Sequence, residues 1–160
     1  MTRKRVCMIA NLDVTHHSRV HRAAAALAKH YDVDLYHLPE LDVRETLNES
    51  LIEGVNFYAL SPRGKLITKI LDHSAFWLLS RFSGKQILKR GIKYDAVYTH
   101  DILATYAGAM VAKKNNAVII HDVHDLYTEV INQFFPHKSS FPKNLIFKFL
   151  IWEMRQLALL

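Results

Sequence analysis

We predict an α/β fold from this sequence, with a doubly wound, mainly parallel sheet between two layers of helices. Apolar runs of strand length alternate with helical patterns along the chain. The first such unit is a strand over Arg5 to Ala10, a helix after Ser18 and a second strand around Val33 to Tyr36. The length of 160 residues, half of them apolar, suits a single domain with a sizeable core. We therefore expect one domain over residues 1–160, with five or more strands.

The segment Ala117 to Glu129, AVIIHDVHDLYTE, indicates where the chemistry of this fold should lie. Its four leading apolar residues are typical of a buried central strand, and the histidines and aspartates after them suit a loop at its carboxyl end. A strand over Asp95 to Thr99 leads in the same way into His100 and Asp101. Because parallel strands end at the same edge of a sheet, we expect these groups to lie together, with the loop after Ala10 beside them.

The other segments complete the alternating pattern. Ser18 is placed to cap the first helix, where apolar residues recur at helical spacing. A third strand is expected around Val55 to Leu60. The remaining predicted helices cover residues 66–90, either as one helix or as two broken near Ser83 and Gly84, then residues 102–114, and finally the residues from Leu145 onward.

Composition and charge limit the classes of protein. The chain has 21 Lys and Arg against 15 Asp and Glu, and its net charge of +6 favours anionic partners such as nucleotides or an acidic membrane surface. Nucleic acid is a weaker expectation, since the basic residues are scattered and the aromatics have apolar neighbours. The single cysteine, Cys7, forms no internal disulfide and is expected in the core.

We expect a cytoplasmic protein. The apolar run Val6 to Ala10 after the basic start is too short for a signal peptide, and no apolar stretch approaches the roughly 18 residues of a membrane span. A dinucleotide cofactor such as NAD or FAD, bound by a glycine-rich first turn, is not expected, because no glycine lies between Ala10 and Arg22.

The order of these motifs resembles the amino-terminal domain of glycosyltransferase family four, a group of retaining, nucleotide-sugar-dependent enzymes with GT-B architecture. The likeness covers roughly residues 5–38 and 94–130, through RVHRAAAALAKHYDVDLY and YDAVYTHDILATYAGAMVAKKNNAVIIHDVHDLYTE. Three features depart from the family pattern. His17 or Ser18 stands in place of the common acid before Arg19, Asp125 replaces the usual Glu after His124, and the glycine-rich first loop of many members is absent.

The resemblance implies a Rossmann-like domain that forms the acceptor-side half of a GT-B enzyme, with no cofactor beyond a nucleotide sugar as substrate. It also implies a sugar or lipid-linked acceptor, and a role in polysaccharide biosynthesis. The donor-binding half, with its paired glutamates, would come from residues after Leu160 or from a partner subunit. We expect the chain to be inactive alone, and the apolar surface of its last helix to cause self-association.

The same resemblance assigns the catalytic residues. His124 would hydrogen-bond the transferred sugar or its neighbouring backbone, with Asp122 and Asp125 fixing its ring. The simpler interpretation is that His124 bonds only its own loop. His100 and Asp101 are weaker candidates for acceptor binding, because a polar pair at a strand end can also cap the following helix.

Basic residues at the start of the first helix are candidates for phosphate or an acidic acceptor. Arg19 and Arg22 begin this helix close to the expected cleft, and His17 precedes them. The alternative for the two arginines is an exposed basic face of the helix.

A metal-dependent hydrolase is the alternative function. His121, Asp122, His124 and Asp125 resemble fragments of hydrolase motifs, and His16, His17 and His100 are available as further ligands. The family resemblance explains the same residues without a metal, so we expect none. Peripheral contact with the inner face of a membrane is a separate hypothesis, based on the basic apolar segments 66–90 and 134–152.

Overall fold

The computed structural model describes residues 3–10, 14, 17–37, 52–60 and 76–122, with 76–79 and 102–103 described as backbone only. These residues belong to a compact unit, Met1–Asp122, and a second unit, Val123–Leu160, lies outside them. The predicted helix from Leu145 and the first ten residues of the predicted segment 66–90 fall outside the described residues. A single domain over residues 1–160 therefore stays a prediction.

Strands and helices alternate along the described chain, as the sequence predicts. The elements are β1 (Arg5–Ala10), α1 (Ser18–Ala28), β2 (Asp32–His37), β3 (Val55–Ala59), α2 (Phe76–Lys89), β4 (Ala96–His100), α3 (Ile102–Asn115) and β5 (Val118–Asp122).

The five described strands form one sheet in the order β3-β2-β1-β4-β5, and every pair is parallel. β2 and β3 lie on one side of β1, and β4 and β5 lie on its other side. The direction of winding thus reverses between β1 and β4, which makes the described sheet doubly wound and confirms the predicted fold class.

Alternating side chains of the strands supply a core on each face of the sheet. On one face, Met8, Val33 and Leu35 are fully buried beneath the small residues of α1, including Ala24. The opposite face packs on α2 and α3, through a cluster comprising Cys7, Ile9, Tyr36, Ile87, Val97, Ala104, Ala107 and Val111. Three layers result, and Cys7 is a core residue as predicted.

One local expectation about the helices is wrong, and one open alternative is decided for the described residues. Ser18 is the first residue of α1 rather than its cap: the N-cap is His17, which makes no side-chain capping hydrogen bond. α2 runs without a break through Ser83 and Gly84. Gly84 instead lets α2 approach α3 closely, because a Cβ there would lie 3.3 Å from the Cα of Ala107.

β5 also differs from the expected buried central strand. It lies at the edge of the described sheet, where Val118, Ile119 and Ile120 are 66%, 41% and 47% exposed. The predicted strand over residues 117–120 extends to Asp122, so His121 and Asp122 lie within the strand rather than in the loop after it.

The position of β4 depends on a close contact with α3. Gly108 lies against the side chain of Thr99, and a Cβ at residue 108 would overlap the Thr99 Cγ2 methyl group. Thr99 is fully buried in the middle of the sheet. A glycine at this point of α3 therefore lets the helix lie directly on the carboxyl half of β4.

We expect Gly108→Ala to lower the free energy of unfolding by about 1–3 kcal/mol, because the added methyl overpacks the helix-sheet contact. Alanine favours an isolated helix over glycine by about 1 kcal/mol, so helix propensity alone predicts the opposite sign. Denaturant unfolding would measure the change. Thr99→Ser removes the opposing methyl group and should relieve most of the loss in the double variant. A stabilising or neutral Gly108→Ala would contradict this packing.

Candidate functional site

The carboxyl ends of β1, β4 and β5 lie side by side at one edge of the described sheet. In the parallel register, Ala10 of β1 is opposite His100 of β4, and His100 is opposite Asp122 of β5. The expected meeting of these strand ends is therefore confirmed. The edge includes the point between β1 and β4 where the winding reverses, which is where ligands bind in open parallel sheets.

Tyr98, His100 and Asp122 form a polar cluster on the α1 side of this edge. The Tyr98 hydroxyl donates a hydrogen bond to Asp122 Oδ2 at 2.5 Å, and Nδ1 of His100 lies 3.5 Å from the same oxygen. The side chains of His100 and Asp122 are 5% and 31% exposed, so the carboxylate lies nearer to solvent than the imidazole. Burial raises the pKa of Tyr98, and the hydrogen bond to Asp122 raises it further.

The intervening residues face α3 on the other side of the sheet. Thr99 Oγ1 is 2.8 Å from Nδ1 of His121, and Thr105 Oγ1 is 3.2 Å from each nitrogen of the same ring. Both hydroxyls also reach backbone oxygens, Thr99 that of Ile120 and Thr105 that of Asp101. His121 is thus connected to both β4 and α3 through two buried threonines.

Asp101 makes a one-residue connection between β4 and α3, with φ at +72°. Its N–H donates to the backbone oxygen of Asp122, and its own backbone oxygen accepts from the N–H of Ala104. A left-handed conformation is unfavourable for a residue with a Cβ, and such residues cluster at functional sites. Asp101 therefore lies at the carboxyl edge of the sheet, where the chain turns sharply from β4 into α3.

Arg19, Arg22 and His17 lie exposed on and just before the first turn of α1. This turn holds no acidic residue, so its partial positive charge adds to the charge of the two arginines. The structure thus brings His100 and Asp122 together, with Asp101 beside them, and places His17, Arg19 and Arg22 around the amino-terminal end of α1. His124 and Asp125 lie outside the described residues.

The opposite, amino-terminal edge of the sheet holds an ion pair between Arg5 and the buried Asp34. Asp34 is fully buried and accepts hydrogen bonds from Arg5 Nε at 2.9 Å, Asn56 Nδ2 at 2.9 Å and the Tyr94 hydroxyl at 2.9 Å. The Tyr94 and Tyr36 hydroxyls are 2.7 Å apart, and burial raises the pKa of Tyr36 to about 12. This network joins β1, β2 and β3, which indicates a structural role.

A polar cavity also lies at that amino-terminal edge. Its lining includes Arg3, Asp32 and the segment from Ile52 to Asn56. Arg5, which also lines it, is held by Asp34. The cavity is therefore remote from the sequence-predicted residues.

Neither a metal site nor a membrane span is found in the described part of the chain. Among those residues, no three His, Cys, Asp or Glu side chains are grouped to hold a metal ion. No helix in the same residues is long and apolar enough to cross a membrane.

Sequence reasoning missed Tyr98, Thr99 and Thr105. The available signal was the two-residue period of β4, which puts Tyr98 on the same face as His100 and Thr99 on the other. That period does not identify Asp122 as the partner of Tyr98, because the pairing depends on the register between β4 and β5.

Comparisons with known proteins give one family match. The model of the family described as glycosyl transferase 4-like matches residues 5–158. A search of curated proteins found no match.

A search of solved structures found matches at low sequence identity, and sucrose-phosphate synthase shares the fold. Sucrose-phosphate synthase from Thermosynechococcus elongatus is 15% identical with a TM-score of 0.55, and the alignment covers 92% of this chain and 40% of that one. The carboxyl-terminal domain of a hydrogenase from Pyrococcus furiosus is 16% identical with a TM-score of 0.48, over 77% of this chain and 94% of that domain. The present chain thus spans about 40% of the synthase's length.

Proposed function

The chain belongs to the glycosyl transferase 4-like family, and we propose that it is the acceptor-side half of an enzyme that transfers sugar from a nucleotide donor with retention of configuration. The observation that carries this proposal is the polar edge formed by β4 and β5 beside the point where the winding reverses. A sugar bound there would meet histidine, aspartate and tyrosine side chains, which suit its hydroxyl groups. The proposed substrates are a nucleotide sugar and a sugar or lipid-linked acceptor of polysaccharide biosynthesis, and no resident cofactor is required.

The proposed catalytic group is His124, with Asp122 and Asp125 beside it. Asp122 is the last residue of β5. His124 and Asp125 follow it in the sequence by two and three residues. In the proposal, His124 hydrogen-bonds the transferred sugar. His100 and Asp101 bind the acceptor from the neighbouring strand end.

Arg19, Arg22 and His17 are proposed to bind a phosphate or an acidic group of a substrate. Support comes from their exposure and from the positive end of α1, which together provide charge and backbone donors for an anion. The residues lie after β1, whose carboxyl end adjoins that of β4.

We further propose that a donor-binding domain, in the same polypeptide or in a partner subunit, completes the enzyme. One domain forms only one wall of a cleft, whereas sugar transfer needs both substrates oriented and water excluded. The synthase that shares this fold is about two and a half times as long as the aligned part, since the alignment covers 40% of it.

We expect the 160-residue chain to transfer sugar at a useful rate only when a carboxyl-terminal donor domain is supplied by fusion or in trans. In that complemented enzyme, His124→Ala should lower the transfer rate by about 100-fold or more, because a hydrogen bond to the reacting sugar is lost. Transfer from common nucleotide sugars would be assayed, with His30→Ala as the matched control, since His30 is exposed just beyond the end of α1. Robust transfer by the chain alone, or equal rates for the two variants, would contradict the proposal.

Peripheral contact with the inner face of a membrane is proposed from the basic surface of α2. Arg81, Lys85 and Lys89 recur every four residues and are all exposed, so they share one side of the helix. Each cation near an anionic surface contributes about 1 kcal/mol to binding. The proposed location is therefore cytoplasmic, with reversible attachment to acidic lipid.

We expect the chain to sediment with anionic vesicles at low salt and to be released at high salt, because salt screens the attraction. Replacing Arg81, Lys85 and Lys89 by glutamine should abolish most of this binding. The control replaces three exposed lysines elsewhere, Lys29, Lys113 and Lys114, and should retain it. Equal recovery with neutral and anionic vesicles would refute the electrostatic contact, and equal losses in both variants would refute the assignment to α2.

A further inference from the structure

We propose that the polar cavity at the amino-terminal edge of the sheet binds an uncharged saccharide. The cavity has a volume of about 530 Å³, within the range of about 300–1,000 Å³ that is typical of small-molecule sites. It lies where the amino-terminal ends of β1, β2 and β3 meet the turn before β3. The inference goes beyond the proposed function, because His100 and Asp122 lie at the opposite edge of the sheet.

The buried carboxylate of Asp34 holds two side chains of the cavity wall in place. Arg5 donates to both of its oxygens, from Nε at 2.9 Å and from Nη2 at 3.1 Å, and Asn56 Nδ2 donates to Oδ1 at 2.9 Å. These bonds leave Arg5 Nη1 and Asn56 Oδ1 without a hydrogen-bond partner among the described residues. One donor and one acceptor are therefore fixed before a ligand binds, which lowers the entropic cost of binding.

A tight turn brings a third polar group to the cavity. The Val55 N–H donates to the backbone oxygen of Ile52, and Gly54, the third residue of this turn, has φ at +79°. Glycine adopts this conformation without strain, as at the third position of a type II turn. Glu53 is exposed on the turn, and its carboxylate has no partner in the described part of the chain. Ile52 adds an apolar surface that suits the C–H groups of a sugar ring.

The remaining charged groups of the wall form a weak pair. Arg3 Nη2 donates to the backbone oxygen of Ala28 at 2.9 Å, and Arg3 Nη1 lies 4.0 Å from Asp32 Oδ1. The two side chains are 50% and 51% exposed, and an ion pair of this kind contributes little to stability. Hydroxyl groups of a ligand can therefore replace solvent at both side chains without breaking a strong contact.

The charges of the wall select the class of ligand. Its two arginines balance its two carboxylates, Asp32 and Glu53, so the lining has no net charge at neutral pH. Asp34 adds a negative charge behind Arg5, which weighs further against an anion such as a phosphate. A cation would approach two guanidinium groups. A saccharide is uncharged, and each of its hydroxyl groups can donate to a carboxylate or accept from a guanidinium.

The test is a titration of the 160-residue chain with sugars, followed by amide NMR. The neutral probes are glucose, galactose, mannose and N-acetylglucosamine, and their charged counterparts are glucuronate and glucosamine. We expect at least one neutral sugar to shift the amide signals of Asp32 and of residues 53–56. The charged probes should shift the same signals less.

Substitutions of Glu53 test the chemistry of the contact. Glu53→Ala should weaken binding about tenfold, because a hydrogen bond to a charged acceptor is lost. Glu53→Gln keeps an acceptor oxygen and should weaken binding by less, whereas a bound cation would be lost in both variants. Lys113→Ala is the control and should leave binding unchanged, since Lys113 is exposed in the last turn of α3 and lies outside the cavity lining.

The inference is overturned if no neutral sugar shifts these signals, if only a charged probe does, or if Glu53→Ala binds as tightly as the unsubstituted chain. Transfer assays of the complemented enzyme keep this result apart from the proposed function. Sugar transfer without binding at the cavity would overturn the inference and spare the proposed function. Binding at the cavity, with no transfer by any complemented form, would support the inference and count against the proposed function.

Discussion

The parallel register between β4 and β5 is the constraint on which the candidate site depends. It sets His100 opposite Asp122 and Thr99 opposite His121, so that successive pairs face α1 and α3 in turn. A slip of one residue would exchange the faces and would separate Asp122 from both Tyr98 and His100. The polar groups at the end of β5 are therefore a consequence of strand pairing rather than of a local motif.

The contacts at the two ends of the sheet differ. At the carboxyl end, Gly108 lets α3 lie on Thr99, and Asp101 turns the chain within one residue from β4 into that helix. At the amino-terminal end, the buried carboxylate of Asp34 joins β1, β2 and β3 through the hydrogen bonds that it accepts. At that end Asp34 is fully buried against Arg5, whereas at the carboxyl end the Asp122 side chain is 31% exposed. A scaffold at one end thus supports the edge that is proposed to bind substrate at the other.

The sequence predicts this fold well because its strongest signals are local. Apolar runs with the right length mark every described strand within two residues, and alanine-rich patterns mark α1 and α3. Local rules fail or leave a choice open where packing decides. Ser18 is a suitable capping residue by type but lies inside α1. Gly84 is compatible with a break or with a close helix contact, and the structure shows the contact. The partnership of Tyr98 with Asp122 was out of reach, since it depends on register and not on sequence spacing. The assignments of His124 and Asp125 rest on the family pattern.

The central claim is that the carboxyl edge binds substrate while the amino-terminal network holds the fold. Comparing Asp122→Asn with Asp34→Asn in the complemented enzyme tests it most directly, because each removes one carboxylate charge from one edge. We expect Asp122→Asn to reduce the transfer rate with little change in the free energy of unfolding. Asp34→Asn should lower that free energy by at least ~1 kcal/mol, since hydrogen bonds to a charged group are lost, and should keep the transfer rate per folded molecule. Loss of transfer from Asp34→Asn without loss of stability, together with full transfer by Asp122→Asn, would contradict the account.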